Sequence, residues 1–184
     1  MKNALILHGT GASPQDNWFP WLKKELQSRH WKVWVPHLPQ ADRPNIKRYN
    51  KFLLSSQWEF NQDSFLIGHS SGAVTILGLL QALPKNIKVN TCILVGTFND
   101  DLGWDNLDQL FEIPFDWEKI KTKAKKFIFI HSDNDPFCPL DHAKFQAKKL
   151  NAELIIKKGQ QHFCVDPGSI KYKQFSFLLE LIDF

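Results

Sequence analysis

Cysteine is scarce. Cys92, Cys138 and Cys164 are the only three in 184 residues. An odd count at irregular spacing builds no disulfide framework, and free thiols fit a reducing compartment, so a cytoplasmic setting is expected. Long apolar runs are also missing. The N-terminal stretch offers four apolar residues, 4–7, before His8. That is far short of a signal-peptide core or of the about 20 residues of a membrane span, so it reads as a first strand. Charge of one sign is not in excess either. The 23 Lys and Arg against 19 Asp and Glu leave +4, too mild a balance for a nucleic-acid footprint. The densest basic run, 119–126, holds five lysines and reads as a solvated helix face. Nucleic-acid motifs, internal repeats, low-complexity stretches and linkers are all absent. The expectation is one domain over 1–184, with no nucleic acid and no membrane as partner.

Apolar content, by contrast, is ample. Hydrophobic residues make up 43% and aromatic residues 13% of the chain, which suits a packed globule with aromatics in its core. Six short apolar runs, 4–7, 33–35, 65–67, 92–95, 127–130 and 154–156, are bounded by turn residues. Continuous runs without alternation predict strands covered on both faces, as in a parallel sheet. Helical patterns fall between them, over 17–30, 43–56, 70–83, 139–150 and 168–182. In the first, Asn17 is a candidate cap and Pro20 falls in the first turn. Alternation of this kind predicts a three-layer α/β/α fold, doubly wound on a mostly parallel six-stranded sheet. The segment 97–124 breaks the pattern. It holds Phe98, Trp104, Phe111, Phe115 and Trp117 among acidic residues, and a short cap-like insertion is expected there.

The run Asp63-Ser-Phe-Leu-Ile-Gly-His-Ser-Ser-Gly-Ala-Val74 carries the chemistry. A tight strand-to-helix turn strains the residue at its apex, and side chains two positions to either side would clash. Gly68 and Gly72 stand at those positions, which makes Ser70, rather than Ser71, the apex. This is the nucleophile elbow, G-x-S-x-G, after an apolar strand and before an apolar helix. A serine hydroxyl is a poor nucleophile near neutral pH and needs a base with a group to orient it. In elbow hydrolases the chain order is serine, acid, histidine. The strand at 127–130 ends in His-Ser-Asp-Asn-Asp-Pro, offering Asp133 and Asp135; the strand at 154–156 leads to Gln160-Gln161-His162. Both lie at strand ends, where open parallel sheets place their sites. Asp135 is preferred as the acid because Asp-Pro-Phe-Cys-Pro is similar to the D-x-x-V-P loop of such enzymes; Asp133 then serves the turn. The developing oxyanion needs backbone donors. The N–H of Ser71 and that of Thr10, in the loop after the first strand, are the candidates. His8 is expected to pack or to orient that loop.

Taken together, the stretches at 5–26, 65–73, 132–139 and 159–163 resemble the α/β-hydrolase superfamily, and within it the small serine hydrolases related to retinoblastoma-binding protein 9. The likeness runs from residue 4 to about 182, and Asn17-Trp-Phe-Pro-Trp-Leu22 is its most specific piece. The resemblance implies a shortened hydrolase fold of six parallel strands, a triad of Ser70, Asp135 and His162, and no cofactor; the expected function is cleavage of a small-molecule acyl substrate, an ester, thioester or amide, with no metal. Gln161 stands where relatives often carry glycine. The motif L-x-C-x-E is absent, so no retinoblastoma-type partner is inferred.

Three other readings compete with this one. A dinucleotide-binding fold lacks its third glycine, since Pro14 stands there, and lacks the acid after the second strand. A metal site from Cys138, His162 and Cys164 lacks ligand spacing and a fourth ligand. A hydrolase fold kept as a catalytically silent binding protein is the alternative that fold alone does not exclude.

Overall fold

The computed structural model describes residues 1–165 and 171–182. Strands and helices alternate along the chain: β1 (Asn3–Leu7), α1 (Phe19–Ser28), β2 (Lys32–Trp34), α2 (Ile46–Leu54), β3 (Ser64–His69), α3 (Ser71–Ala82) and β4 (Val89–Val95). A longer segment with one 3-10 turn, Asp108–Leu110, leads to α4 (Trp117–Lys121), β5 (Ala124–Ser132), α5 (Leu140–Leu150) and β6 (Glu153–Lys157). A second 3-10 turn, Lys171–Lys173, precedes α6 (Phe177–Ile182). The six strands form one parallel sheet in the order β2-β1-β3-β4-β5-β6. Winding reverses between β1 and β3, and open α/β sheets bind their ligands outside the strand ends at such a point.

The two faces of the sheet follow from the two-residue period of a strand. Ala4, Ile6, Phe65, Ile67, Ile93, Val95, Ile128 and Ile130 point to one side and pack with Trp18, Phe19, Leu22 and Leu26 of the α1 region and Leu178 and Ile182 of α6. Leu5, Leu7, Leu66, Cys92, Leu94, Phe127 and Phe129 point to the other, under α2, α3 and α5. Both faces are covered, so the strands read as unbroken apolar runs. Helix α3 lies wholly buried from Ser71 to Leu80, as its all-round apolar sequence predicts.

Three local expectations are corrected. The cap of α1 is Trp18, with no side-chain hydrogen bond; Asn17 instead accepts the Val165 N–H through Oδ1 at 2.9 Å. The basic run does not form one solvated helix face. It straddles α4 and β5, and Lys123 is buried with Nζ donating to the Pro84 carbonyl. The helix expected over 168–182 is a 3-10 turn followed by the six residues of α6, its first positions, 168–170, lying outside the described residues. Tyr172 and Phe175 turn inward to meet Phe163, with ring centroids 5.6 and 5.5 Å from it. Tertiary packing of these rings overrides the helical spacing of the sequence.

Candidate active site

Strand β3 hands over to α3 at a single residue. Ser70 has φ 56° and ψ −126°, a backbone state that costs about 1–3 kcal/mol for a non-glycine residue. Its N–H donates to the Val95 carbonyl at 2.8 Å, and its own carbonyl accepts the N–H of Ala73 at 2.9 Å to start the helix. Space explains the flanking glycines. A Cβ at Gly68 would lie 2.6 Å from the Ala73 nitrogen, and one at Gly72 would lie 2.4 Å from the Leu7 carbonyl oxygen. Either methyl group would have to push α3 away from the sheet.

The loop after β1 faces the elbow. Thr10 donates from Oγ1 to Ser71 Oγ at 2.9 Å, so the two loops that carry the candidate oxyanion donors are tied side chain to side chain. The Gly11 N–H is held by the Ala41 carbonyl at 2.8 Å. His8 is fully buried. Its Nε2 accepts the Leu38 N–H at 2.9 Å, which leaves Nδ1–H to donate to the Gly9 carbonyl at 2.9 Å. Burial lowers its pKa, and both ring nitrogens are engaged in holding the loop.

Asp135 and His162 meet across 27 residues of chain. His162 Nδ1 donates to Asp135 Oδ2 at 2.7 Å, and the acceptor-only carboxylate fixes that tautomer. The other oxygen, Oδ1, accepts the N–H groups of Phe137 and Cys138, each at 2.9 Å. Burial alone would raise the pKa of Asp135, but the hydrogen bond and charge of His162, with the two backbone donors, outweigh it and hold the carboxyl below its usual range. Asp133 does not reach His162. It accepts the Gly159 N–H at 2.8 Å.

That contact belongs to a set the sequence reading did not foresee. Ser132 Oγ accepts the Gln160 N–H and Asn134 Oδ1 accepts the Gln161 N–H, both at 2.9 Å. Three consecutive side chains at the end of β5 thus grip three consecutive amides just before His162. The available signal was the run of short oxygen-bearing side chains, Ser-Asp-Asn-Asp, which commonly bond backbone. Gln161 has φ 56°, in the left-handed region that favours glycine. His69, also unforeseen, donates from Nε2 to the His162 carbonyl at 2.7 Å. It is wholly enclosed, and desolvation, with the neighbouring His162, depresses its pKa to about 3. Its Nδ1 is buried without a hydrogen-bond partner.

Ser70, Thr10 and His162 line both halves of one cleft. Among the described residues no hydrogen bond yet joins Ser70 Oγ to His162; in a free site such contacts are often long and tighten with substrate. The metal set of Cys138, His162 and Cys164 does not assemble. The described side chains with ligand atoms within 4.8 Å of one another are Asp135, Cys138 and His162, without Cys164. The Asp135–His162 pair in that group is already joined directly by a hydrogen bond.

Comparison with known proteins bears on the same residues. The chain matches the family model described as serine hydrolase over residues 4–180. It is 30% identical over 168 residues to YdeN of Bacillus subtilis (strain 168), covering 91% of this chain and 88% of that protein. It is 29% identical over 167 residues to the serine hydrolase RBBP9 of Rattus norvegicus, covering 87% and 86%. The crystal structure of the YdeN gene product from B. subtilis superposes with a TM-score of 0.91 at 28% identity, covering 100% of this chain and 97% of the other. Est1E from Butyrivibrio proteoclasticus shares the fold at a TM-score of 0.70 and 15% identity, over 98% of this chain and 85% of its own.

Proposed function

The chain belongs to the serine hydrolase family, and from that premise we propose that it cleaves a small ester, thioester or amide through an acyl-enzyme on Ser70. The observation that carries the reading is the 2.7 Å bond between Asp135 and His162 at a cleft that the elbow serine also lines. With Nδ1–H held by the carboxylate, Nε2 carries the lone pair and is the nitrogen that takes a proton.

The steps follow from these roles. Substrate brings Ser70 Oγ and Nε2 into contact. Oγ bonds to the carbonyl carbon as its proton passes to Nε2, and Asp135 stabilises the imidazolium that results. The carbonyl oxygen becomes an oxyanion facing the N–H groups of Thr10 and Ser71. The first amides of a helix lack intrahelical partners, and a donor so placed contributes about 2.7–4 kcal/mol to lowering the barrier. The tetrahedral species collapses, the bond to the leaving heteroatom breaks, and that atom takes the proton from Nε2. Water then repeats the sequence on the acyl carbon, releasing the acid and restoring Ser70. No cofactor enters this scheme. We read 1–184 as one catalytic domain in which part of the 97–124 segment walls the cleft.

Treatment with a fluorophosphonate probe tests the reading. Wild-type protein should label at Ser70, and Ser70→Ala should not. The same variant should lose about 10⁴-fold or more in kcat on p-nitrophenyl acetate with an unchanged urea midpoint. A wild-type protein that neither labels nor turns over would assign the fold to binding instead.

A further inference from the structure

The two halves of the cleft differ in chemistry. One is a cavity of about 190 Å³ whose walls include Phe98, Leu102, Trp104, Leu107 and Phe137. The other, of about 370 Å³, opens between the loop after β1 and residues that include Asp16, Asn17 and Lys173. We infer that the apolar half is the acyl pocket, sized for a short acyl chain of about four to six carbons or a single ring, and that the polar half holds a polar leaving group. The inference rests on Ser70 being the nucleophile.

Three observations support it. Trp104 and Phe137 are each 47% exposed. Their rings meet edge to face at 6.2 Å, and Phe137 meets the His162 ring at 5.2 Å. Large apolar side chains left in water at the rim of a cavity mark a surface that an apolar ligand covers. Volume sets the size. A cavity of about 190 Å³ is smaller than the roughly 300–1,000 Å³ of pockets that hold drug-sized ligands, which suits a short chain or a single ring. One side of the wall is also fixed in place. Phe98, Leu107 and Leu110 are buried with Val74 of α3 and Cys138, so that side of the pocket is not free to swell around a longer chain.

The order of bond changes assigns the halves. The acyl group stays bonded to Oγ through both steps, so its pocket can be enclosed and dry. The leaving group departs after the first step, and water must enter where it left. The polar half suits that exchange.

Two ester series decide the matter. In the first, p-nitrophenyl esters vary the acyl chain from acetate through butyrate and hexanoate to decanoate. In the second, acetate esters vary the alcohol from glycerol to 1-hexanol. We expect kcat/KM to rise about fourfold for each methylene that the pocket buries, to peak between butyrate and hexanoate, and to fall by decanoate. The alcohol series should show no such gain with chain length. Trp104→Ala, at a half-exposed site, should shift the fall to longer acyl chains. Leu107→Phe, which fills the pocket, should lower the hexanoate-to-acetate ratio about tenfold or more. A flat acyl profile, a gain that follows the alcohol instead, or a profile that neither variant shifts would overturn the assignment while fluorophosphonate labelling upheld the nucleophile. Loss of labelling in the wild type would remove the nucleophile and the pocket with it.

Discussion

At residue scale, the elbow is a problem of single methyl groups. The Cβ that alanine would add at Gly72 falls 2.4 Å from a carbonyl oxygen of β1, inside any tolerable contact. Neither partner is a flexible side-chain end, so backbone must move. Gly68→Ala and Gly72→Ala should each cost about 3 kcal/mol or more, read as a lower urea midpoint at constant m. Ser71→Ala lies between them and adds no atoms. It loses only the bond from Thr10 and should cost about 1 kcal/mol. Equal losses at all three positions would point away from sterics. The serine and its glycines were legible in the sequence because this geometry admits few residues. The grip of Ser132, Asp133 and Asn134 on the loop before His162 was not, because short polar side chains after a strand serve turns in most folds. The partner of a loop carboxylate is set by a distant strand, here the one that leads to Gly159.

At the scale of elements, the insertion between β4 and β5 is tied to the start of α2. Asn45 caps that helix by accepting the Arg48 N–H at 2.8 Å, and its amide donates to Gln109 at 3.0 Å and Glu112 at 3.2 Å. Lys47 pairs with Glu112 at 2.8 Å, and Asn106 donates to the Asp42 carbonyl at 3.0 Å. Asn45→Ala should lower stability by about 1–2 kcal/mol, the range of a lost cap. Asn45→Ser keeps a capping oxygen but cannot span to the insertion. It should recover most of the stability while amide exchange over 98–112 stays faster than in the wild type. Equal protection in both variants would show that the side-chain ties contribute nothing. The strands were readable because burial on both faces removes polar residues from them. The last helix was not, because Tyr172, Phe175, Leu178 and Ile182 keep a helical spacing while the chain that carries them bends to pack the Tyr172 and Phe175 rings against Phe163.

Across the whole molecule, three buried histidines set a pH dependence. His8, His69 and His131 all have lowered pKa values, chiefly through desolvation, and His69 is held at about 3. The sign follows directly. The unfolded chain protonates these rings near pH 6.5, whereas the folded chain leaves His69 neutral until about pH 3. Stability is therefore fully present above pH 6.5 and is lost as pH falls toward the folded values. Each such group contributes a slope of about 1.4 kcal/mol per pH unit. Asp135, also lowered, adds loss of the same sign below the ordinary carboxylate range. Urea midpoints should be level from about pH 7 to 8, below the ordinary thiol range in which burial keeps Cys92 and Cys138 protonated, and decline between about pH 6.5 and 5. His69→Gln, which retains a donor for the His162 carbonyl, should reduce the slope by about one proton. An unchanged slope would mean that the ring takes up a proton without unfolding the protein. Fold class was legible at this scale from alternation alone. The burial of His69 and His131 was not, since a histidine in sequence gives no sign of how deep it lies.

One further consequence comes from the backbone at Ser70. Glycine would rest comfortably where that serine is held, so the position is among the few at which the chain would endure heat better with no side chain at all. A breeding scheme that rewards survival and never assays turnover would discard this residue early, and would return a hardier protein with nothing left to attack with.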